Sequence, residues 1–207
     1  MPAKADTGTQ KSFLESTLKP LIEKAKRLDV ELFFMDASHF VMGGFAGRVW
    51  SVVRRYVKTA SGRQRYNVLG ALNFVSKKIE TVCNNTYITS AQVIELMEKL
   101  SKSFEKPIKI VLDNARYQRC KIVVERAAEL GIELIFLPTY SPNLNLIERV
   151  WKLVKSKVLS SAYHETFVDF CGTVSGCVDN LHNVCAVDMR SLITENFQII
   201  NNSQLIP

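Results

Sequence analysis

The sequence lacks any apolar run of the roughly 18 residues that a membrane-spanning helix needs. Its first residues, MPAKADTGTQK, contain no apolar stretch of the kind a secretory signal carries. A soluble, intracellular protein is therefore expected. Cysteines at metal-binding spacing are missing too: Cys83, Cys120, Cys171, Cys177 and Cys185 include no C-x-x-C pair, and none of the three histidines has zinc-finger spacing. In a reducing compartment these thiols are expected to be small buried hydrophobes. Internal repeats and low-complexity stretches are absent. The most informative shortage is of acid. Residues 37–79 contain no Asp or Glu, yet they carry Arg48, Arg54, Arg55, Lys58, Arg63, Arg65, Lys77 and Lys78.

What remains is an ordinary globular composition: 207 residues, 47% hydrophobic and 23% charged, enough for one domain with a buried core. The net charge of +7 comes from two blocks, residues 37–79 and residues 114–159, while the tail beyond residue 160 is mildly acidic. A local excess of this kind attracts phosphates and makes binding salt-dependent. It favours a nucleic-acid partner over plain solvation of a charged face.

Leu14, Leu18, Leu21, Ala25 and Leu28 recur at helical spacing and predict a helix over 10–28. The run VELFFM (30–35) predicts a strand that stops at Asp36. One or two more strands are expected over 40–58, with Gly43, Gly44 and Gly47 marking a turn, and further strands over 67–75 and 79–84. Thr89 and Gln92 form a capping-box signature for a helix to about Phe104. IKIVL (108–112) predicts a strand, 115–130 a helix stopped by Gly131, and IELIFL (132–137) another strand. Helices are expected from about Leu146 to Leu159 and over 165–184. This order predicts an α/β fold with a mixed sheet of about five strands, the first three antiparallel and the last two parallel, with helices on both faces. Three parts are expected: an N-terminal linker and helix (1–29), a core (30–160) and a helical extension of the same domain (161–207).

Asp36 and Asp113 each follow a short apolar strand, and ligands of open α/β sheets gather at strand carboxyl ends. Glu148 opens the helix after the next strand. Three converging carboxylates repel one another unless a cation neutralises them, and hard ions such as Mg²⁺ or Mn²⁺ suit oxygen donors. Two such ions clamp a phosphodiester from both sides. Other readings stand beside this one. Asp113 before Asn114 and Ala115 has the place of a helix cap, and Asn145 with Glu148 is itself a capping box.

FMDASHF, VLDNARY and LPTYSPNLNLIERVW resemble the three blocks of DDE transposases, in particular the mariner-type superfamily and its bacterial insertion-sequence family six-thirty. Thirty-four residues separate Asp113 from Glu148, the interval of that branch. The resemblance also takes in RQRYNVLGALNFV and the PAKAD start, and so nearly the whole chain. It implies an RNase H-like fold and a transposase catalytic domain that cuts DNA at element ends and transfers the 3′-hydroxyl into target DNA. Asp36, Asp113 and Glu148 would be the catalytic metal ligands for Mg²⁺ or Mn²⁺, two ions in all. Relatives often carry His shortly after the second Asp, where this chain has Tyr117 and Gln118, and Pro where it has Leu146. Asn145 is still expected to cap the helix. Relatives usually begin with a helix-turn-helix segment that reads element ends. The catalytic half comes first here, so a fragment, a degraded copy or one frame of a split gene is expected, with that segment or subunit separate. The resemblance further implies a homodimer on DNA and a bacterial cytoplasmic, nucleoid-associated location; no membrane partner is expected, as the missing apolar run already indicates. A nuclease that hydrolyses without strand transfer, and an inactive DNA-binding remnant, are the competing functions.

His39, three residues after Asp36, is expected to pack or to support the metal ligands from behind; Asn114 is expected to orient Asp113 or to cap a helix, and Asn145 to support the ligands from behind. Arg149, Lys152 and Lys155 follow Glu148 on the polar face of its helix. With Arg48, Arg54, Arg55, Lys58, Arg63 and Arg65 they are the expected phosphate contacts. Trp50 and Trp151 are expected in the core. Tyr140 is left open between packing and DNA contact.

Overall fold

The N-terminal helix follows its apolar stripe and changes its winding part-way. In the computed structural model, which describes residues 6–43, 52–53, 64–159 and 163–199, α1 (Thr7–Phe13) passes through a π-helical turn (Leu14–Leu18) into α2 (Lys19–Lys26). Pro20 has no N–H to give to the preceding turn, and Lys19 N–H reaches back to the Leu14 carbonyl instead. Leu14, Leu18, Leu21 and Ala25 are buried as expected, whereas Leu28 lies beyond the helix, exposed, at φ 64°.

Five strands follow the β3-β2-β1-β4-β5 order: β1 (Glu31–Val41), β2 (Arg65–Asn73), β3 (Ile79–Asn84), β4 (Ile108–Leu112) and β5 (Ile132–Phe136). β1 pairs antiparallel with β2, and β2 with β3; β1–β4 and β4–β5 are parallel. A five-residue turn (74–78) joins the antiparallel β2 and β3, whereas residues 42–64 lie between β1 and β2; the parallel strands are joined through helices. α3 (Ser90–Ser103) opens on the capping box of Thr89 and Gln92 and links β3 to β4. Gly131, at φ 67°, makes the turn into β5.

Two helices differ from expectation. The helix expected over 115–130 is broken at Cys120 into α4 (Arg116–Arg119) and α5 (Lys121–Glu129). The extended Cys120 backbone redirects the chain so that Tyr117, Val123 and Ala127 all reach one core. A 3₁₀ turn (Pro142–Leu144) precedes α6 (Ile147–Leu159). The last expected helix is three pieces and runs further: α7 (Phe167–Asp179), α8 (Leu181–Val184) and α9 (Ala186–Leu192). Asn180 ends α7 by turning its side-chain amide back onto the Gly176 carbonyl.

The sheet separates two apolar cores. Phe33, Met35, Leu69, Ala71, Ile110 and Leu112 face α3 and α5, while Leu32, Phe34, Phe40, Val68, Leu72 and Val111 face α2, α6 and α7. All five cysteines are free thiols, with Cys185 buried and the others partly so. Among the described residues no helix is long and apolar enough to cross a membrane. Arg48, Arg54, Arg55, Lys58, Arg63, Trp50 and the Gly44–Gly47 turn lie outside the described residues.

Candidate active site

β1 does not stop at Asp36. The strand continues to Val41 along β2, and only its parallel pairing with β4 ends there, at Met35 opposite Leu112. Asp36 is thus mid-strand on one side and at a ladder end on the other. Carried one residue further, the register sets Asp113 beside it. Strand alternation sends both to the sheet face shared by Phe34, Val111 and α6.

Glu148 reaches that face because α6 lies unusually close to the sheet. Gly70, opposite Asp36 in β2, carries no side chain, and a Cβ there would stand 2.7 Å from Trp151 Cη2 and 3.1 Å from Ile147 Cδ1. Trp151 packs edge-on to Phe40, ring centroids 6.4 Å apart. Asn145 fixes the start of α6 by donating its amide to the Met35 carbonyl, 3.1 Å away, at the residue before Asp36. This corrects the expected cap: the Asn145 side chain serves β1 and not the helix N-terminus, and its Oδ1 has no partner among the described residues.

Electrostatics couple the three acids. Burial, then the Glu148 charge and more weakly the Asp113 charge, raise the Asp36 carboxyl from 3.8 to about 7, against the pull of the Ala37 N–H and Lys155. The Tyr117 phenol, near the place where relatives carry His, is pushed up to about 12 by burial and then by Asp113 and Asp36. Among the described residues no three His, Cys, Asp or Glu side chains are gathered tightly enough to hold one ion. The donor set nonetheless suits a hard divalent cation: all oxygens, mutually repelling, with Asp36 reluctant to ionise alone.

The neighbouring expectations fare differently. His39 alternates to the opposite sheet face from Asp36, where its Nδ1 pairs with Asn67 Oδ1 at 2.6 Å, so strand parity removes it from the carboxylates. Asn114 neither caps a helix nor holds Asp113; its amide donates to the Leu137 carbonyl beyond β5. Asp113 Oδ1 accepts the Ala115 N–H at 3.1 Å, a local turn rather than a helix cap. Arg149 is not on a free polar face. Its guanidinium donates to the carbonyls of Leu192 (2.8 Å), Thr194 (3.1 Å) and Asn196 (2.7 Å). Lys152 is exposed, Lys155 lies over the Phe40 ring at 5.8 Å, and Arg65 is exposed at the start of β2. A cleft of about 780 Å³ opens beside Glu148 and Asn145 and is lined also by Lys152, Thr194, Asn196 and Gln198. Two contributions went unread in the sequence. The Arg149 grip has no local signal, but Gly70 inside an apolar strand run is a recognised sign of close approach.

A family model of the DDE superfamily endonucleases matches residues 31–171, which include all three acids. The chain belongs to that family. Enzymes of the DDE superfamily use divalent metals. Among solved structures, the fold is similar to that of Mos1 in its strand transfer complex (11% identity, TM-score 0.54, covering 97% of this chain and 65% of that one). It is also similar to Mos1 transposase in a paired-end complex with the left transposon end (14% identity, TM-score 0.55, 91% and 64%). A chain of the simian T-cell lymphotropic virus intasome, solved with PP2A regulatory subunit B56 gamma, is similar too (15% identity, TM-score 0.51, 74% and 48%). The DDE chain described above therefore spans about two thirds of the Mos1 chains and about half of the intasome chain. At these identities the likeness is one of fold, the RNase H-like core. No curated protein matches the sequence.

Proposed function

We propose that this chain is the catalytic domain of a DNA transposase, with Asp36, Asp113 and Glu148 as ligands for Mg²⁺ or Mn²⁺, two ions in all. The observation that carries the reading is the setting of Asp36: a partly buried carboxylate raised to about 7 by desolvation and by the neighbouring Glu148 and Asp113 charges. Bound divalent ions would offset that repulsion and supply electrostatic activation of the attacking and leaving oxygens of a phosphodiester. The chain's own groups do the rest. β1 and the β4 end hold two carboxylates in register, Asn145 ties the third ligand's helix to β1, and Lys152 and Lys155 offer positive charge for DNA phosphates. The basic block 48–65 extends that attraction. In this reading a first attack by water frees a 3′-hydroxyl at the element end, and a second attack by that hydroxyl joins it to target DNA. A separate end-reading segment and a dimer on DNA belong to the same proposal.

The test is nicking of supercoiled plasmid in Mn²⁺, together with joining of a labelled 3′-hydroxyl oligonucleotide to the plasmid. Asp36→Asn, Asp113→Asn and Glu148→Gln are each expected to abolish both while leaving the circular dichroism spectrum unchanged. Retained nicking in any one variant removes that residue from the site. Nicking without joining by the natural chain reduces the activity to hydrolysis.

A further inference from the structure

The first turn of α6 carries Glu148 and has little of its own to hold it in place. Leu146, which precedes the helix, has no side chain able to cap it, and the turn closes through tight bonds from Glu148 N–H to the Asn145 carbonyl and Arg149 N–H to the Leu146 carbonyl. Two tertiary ties flank Glu148 instead. On the N-terminal side Asn145 binds β1. On the C-terminal side Arg149 grips the end of α9 and the strap after it, residues 192–198 together, through three backbone carbonyls, with its guanidinium 5.6 Å from the Phe197 ring centroid. The strap is itself anchored. Glu195 pairs with Lys26 of α2 at 2.6 Å, and Asn143 donates to the Gln198 carbonyl at 2.9 Å and to Gln10 Oε1 of α1 at 3.1 Å. Among the described residues Arg149 has no carboxylate within ion-pair distance, and its two terminal guanidinium nitrogens hold backbone carbonyls instead of neutralising charge.

We propose that Arg149 is a positioning residue for Glu148: by locking the first turn of α6 onto the 192–198 strap, it fixes where the Glu148 carboxylate stands relative to Asp36 and Asp113. The inference rests on the reading of those three acids as metal ligands. It makes a prediction whose sign differs from simple electrostatics. Removing a cation beside an acidic site tightens divalent-ion binding, whereas releasing a misplaced ligand weakens it, by about tenfold for a residue that orients a ligand from behind.

Mn²⁺ is titrated calorimetrically into the natural chain, Arg149→Ala, Arg149→Lys and Asp113→Asn. Arg149→Ala is expected to bind Mn²⁺ about tenfold more weakly, with Arg149→Lys recovering part of the loss because it keeps the charge but not the fork. Unchanged or tighter binding in Arg149→Ala overturns the proposal. Should Arg149→Ala fail to fold, Phe197→Leu, which removes only the ring beneath the guanidinium, decides in its place. Weaker binding, by up to about tenfold, supports the latch, and natural affinity overturns it. Equal Mn²⁺ binding by the natural chain and Asp113→Asn is the separate result that defeats the metal-site reading itself.

Discussion

Asp36 is a carboxylate set where its own charge is disfavoured. Its folded value of about 7 lies above the ordinary 3.8, so the fold prefers the protonated acid. The stabilising contribution is complete below about pH 3.8 and is lost as pH rises through about 7, because over that window the native state holds a proton that the unfolded chain has released. At 1.36 kcal/mol per pKa unit the loss is at most about 4 kcal/mol. Asp36→Asn should therefore melt at a higher temperature than the natural chain at pH 7.5, and the two should converge near pH 4. Parallel melting curves across that range would show that Asp36 is ordinary. Mn²⁺ should narrow the gap at pH 7.5 by rewarding the ionised form. The acids themselves were legible because each follows an apolar run or opens an amphipathic one. The tasks of Asn145 and Arg149 were not, since their partners lie 110 and up to 47 positions away in the chain.

At the scale of elements, the contact between α6 and β2 matters most. Gly70→Ala would drive a methyl into Trp151 and Ile147, and overpacking of this kind costs about 1–3 kcal/mol. Because the helix that must yield carries Glu148, nicking should fall much further than stability does. Thr89→Ala makes the contrasting case: it removes the α3 cap at about 1 kcal/mol, and nicking at a temperature well below melting should be unchanged. Equal losses of nicking in the two variants would mean that α6 docking has no special bearing on the site. The α3 cap could be read from Thr89 and Gln92 alone, and so could strands bounded by turn residues. The breaks at Cys120 and Asn180 could not. Both interrupt continuous helical patterns, and what decides them is which core the next turn must cover.

For the whole molecule, the division of the sheet into antiparallel and parallel halves followed from the order of elements, since the later strands alternate with helices, which impose parallel pairing, and the earlier ones do not. The same scale governs the proposed DNA attraction, which would depend on the summed charge of residues 37–79 more than on any one side chain. Neutralising both Arg54 and Arg55 should reduce the slope of log binding constant against log salt by about 2. An unchanged slope would assign that block to solvation.

Trp151 adds an optical consequence. Its indole is about 1% exposed, and its Nε1 has no acceptor among the described residues. An indole in so dry and unbonded a setting fluoresces toward the blue and shifts to the red once water reaches it. With the other of the two tryptophans replaced, as in Trp50→Phe, emission would report on a single event: whether α6 rests on Gly70. The docking that brings Glu148 to the aspartates would then be visible in real time, before any phosphodiester is cut.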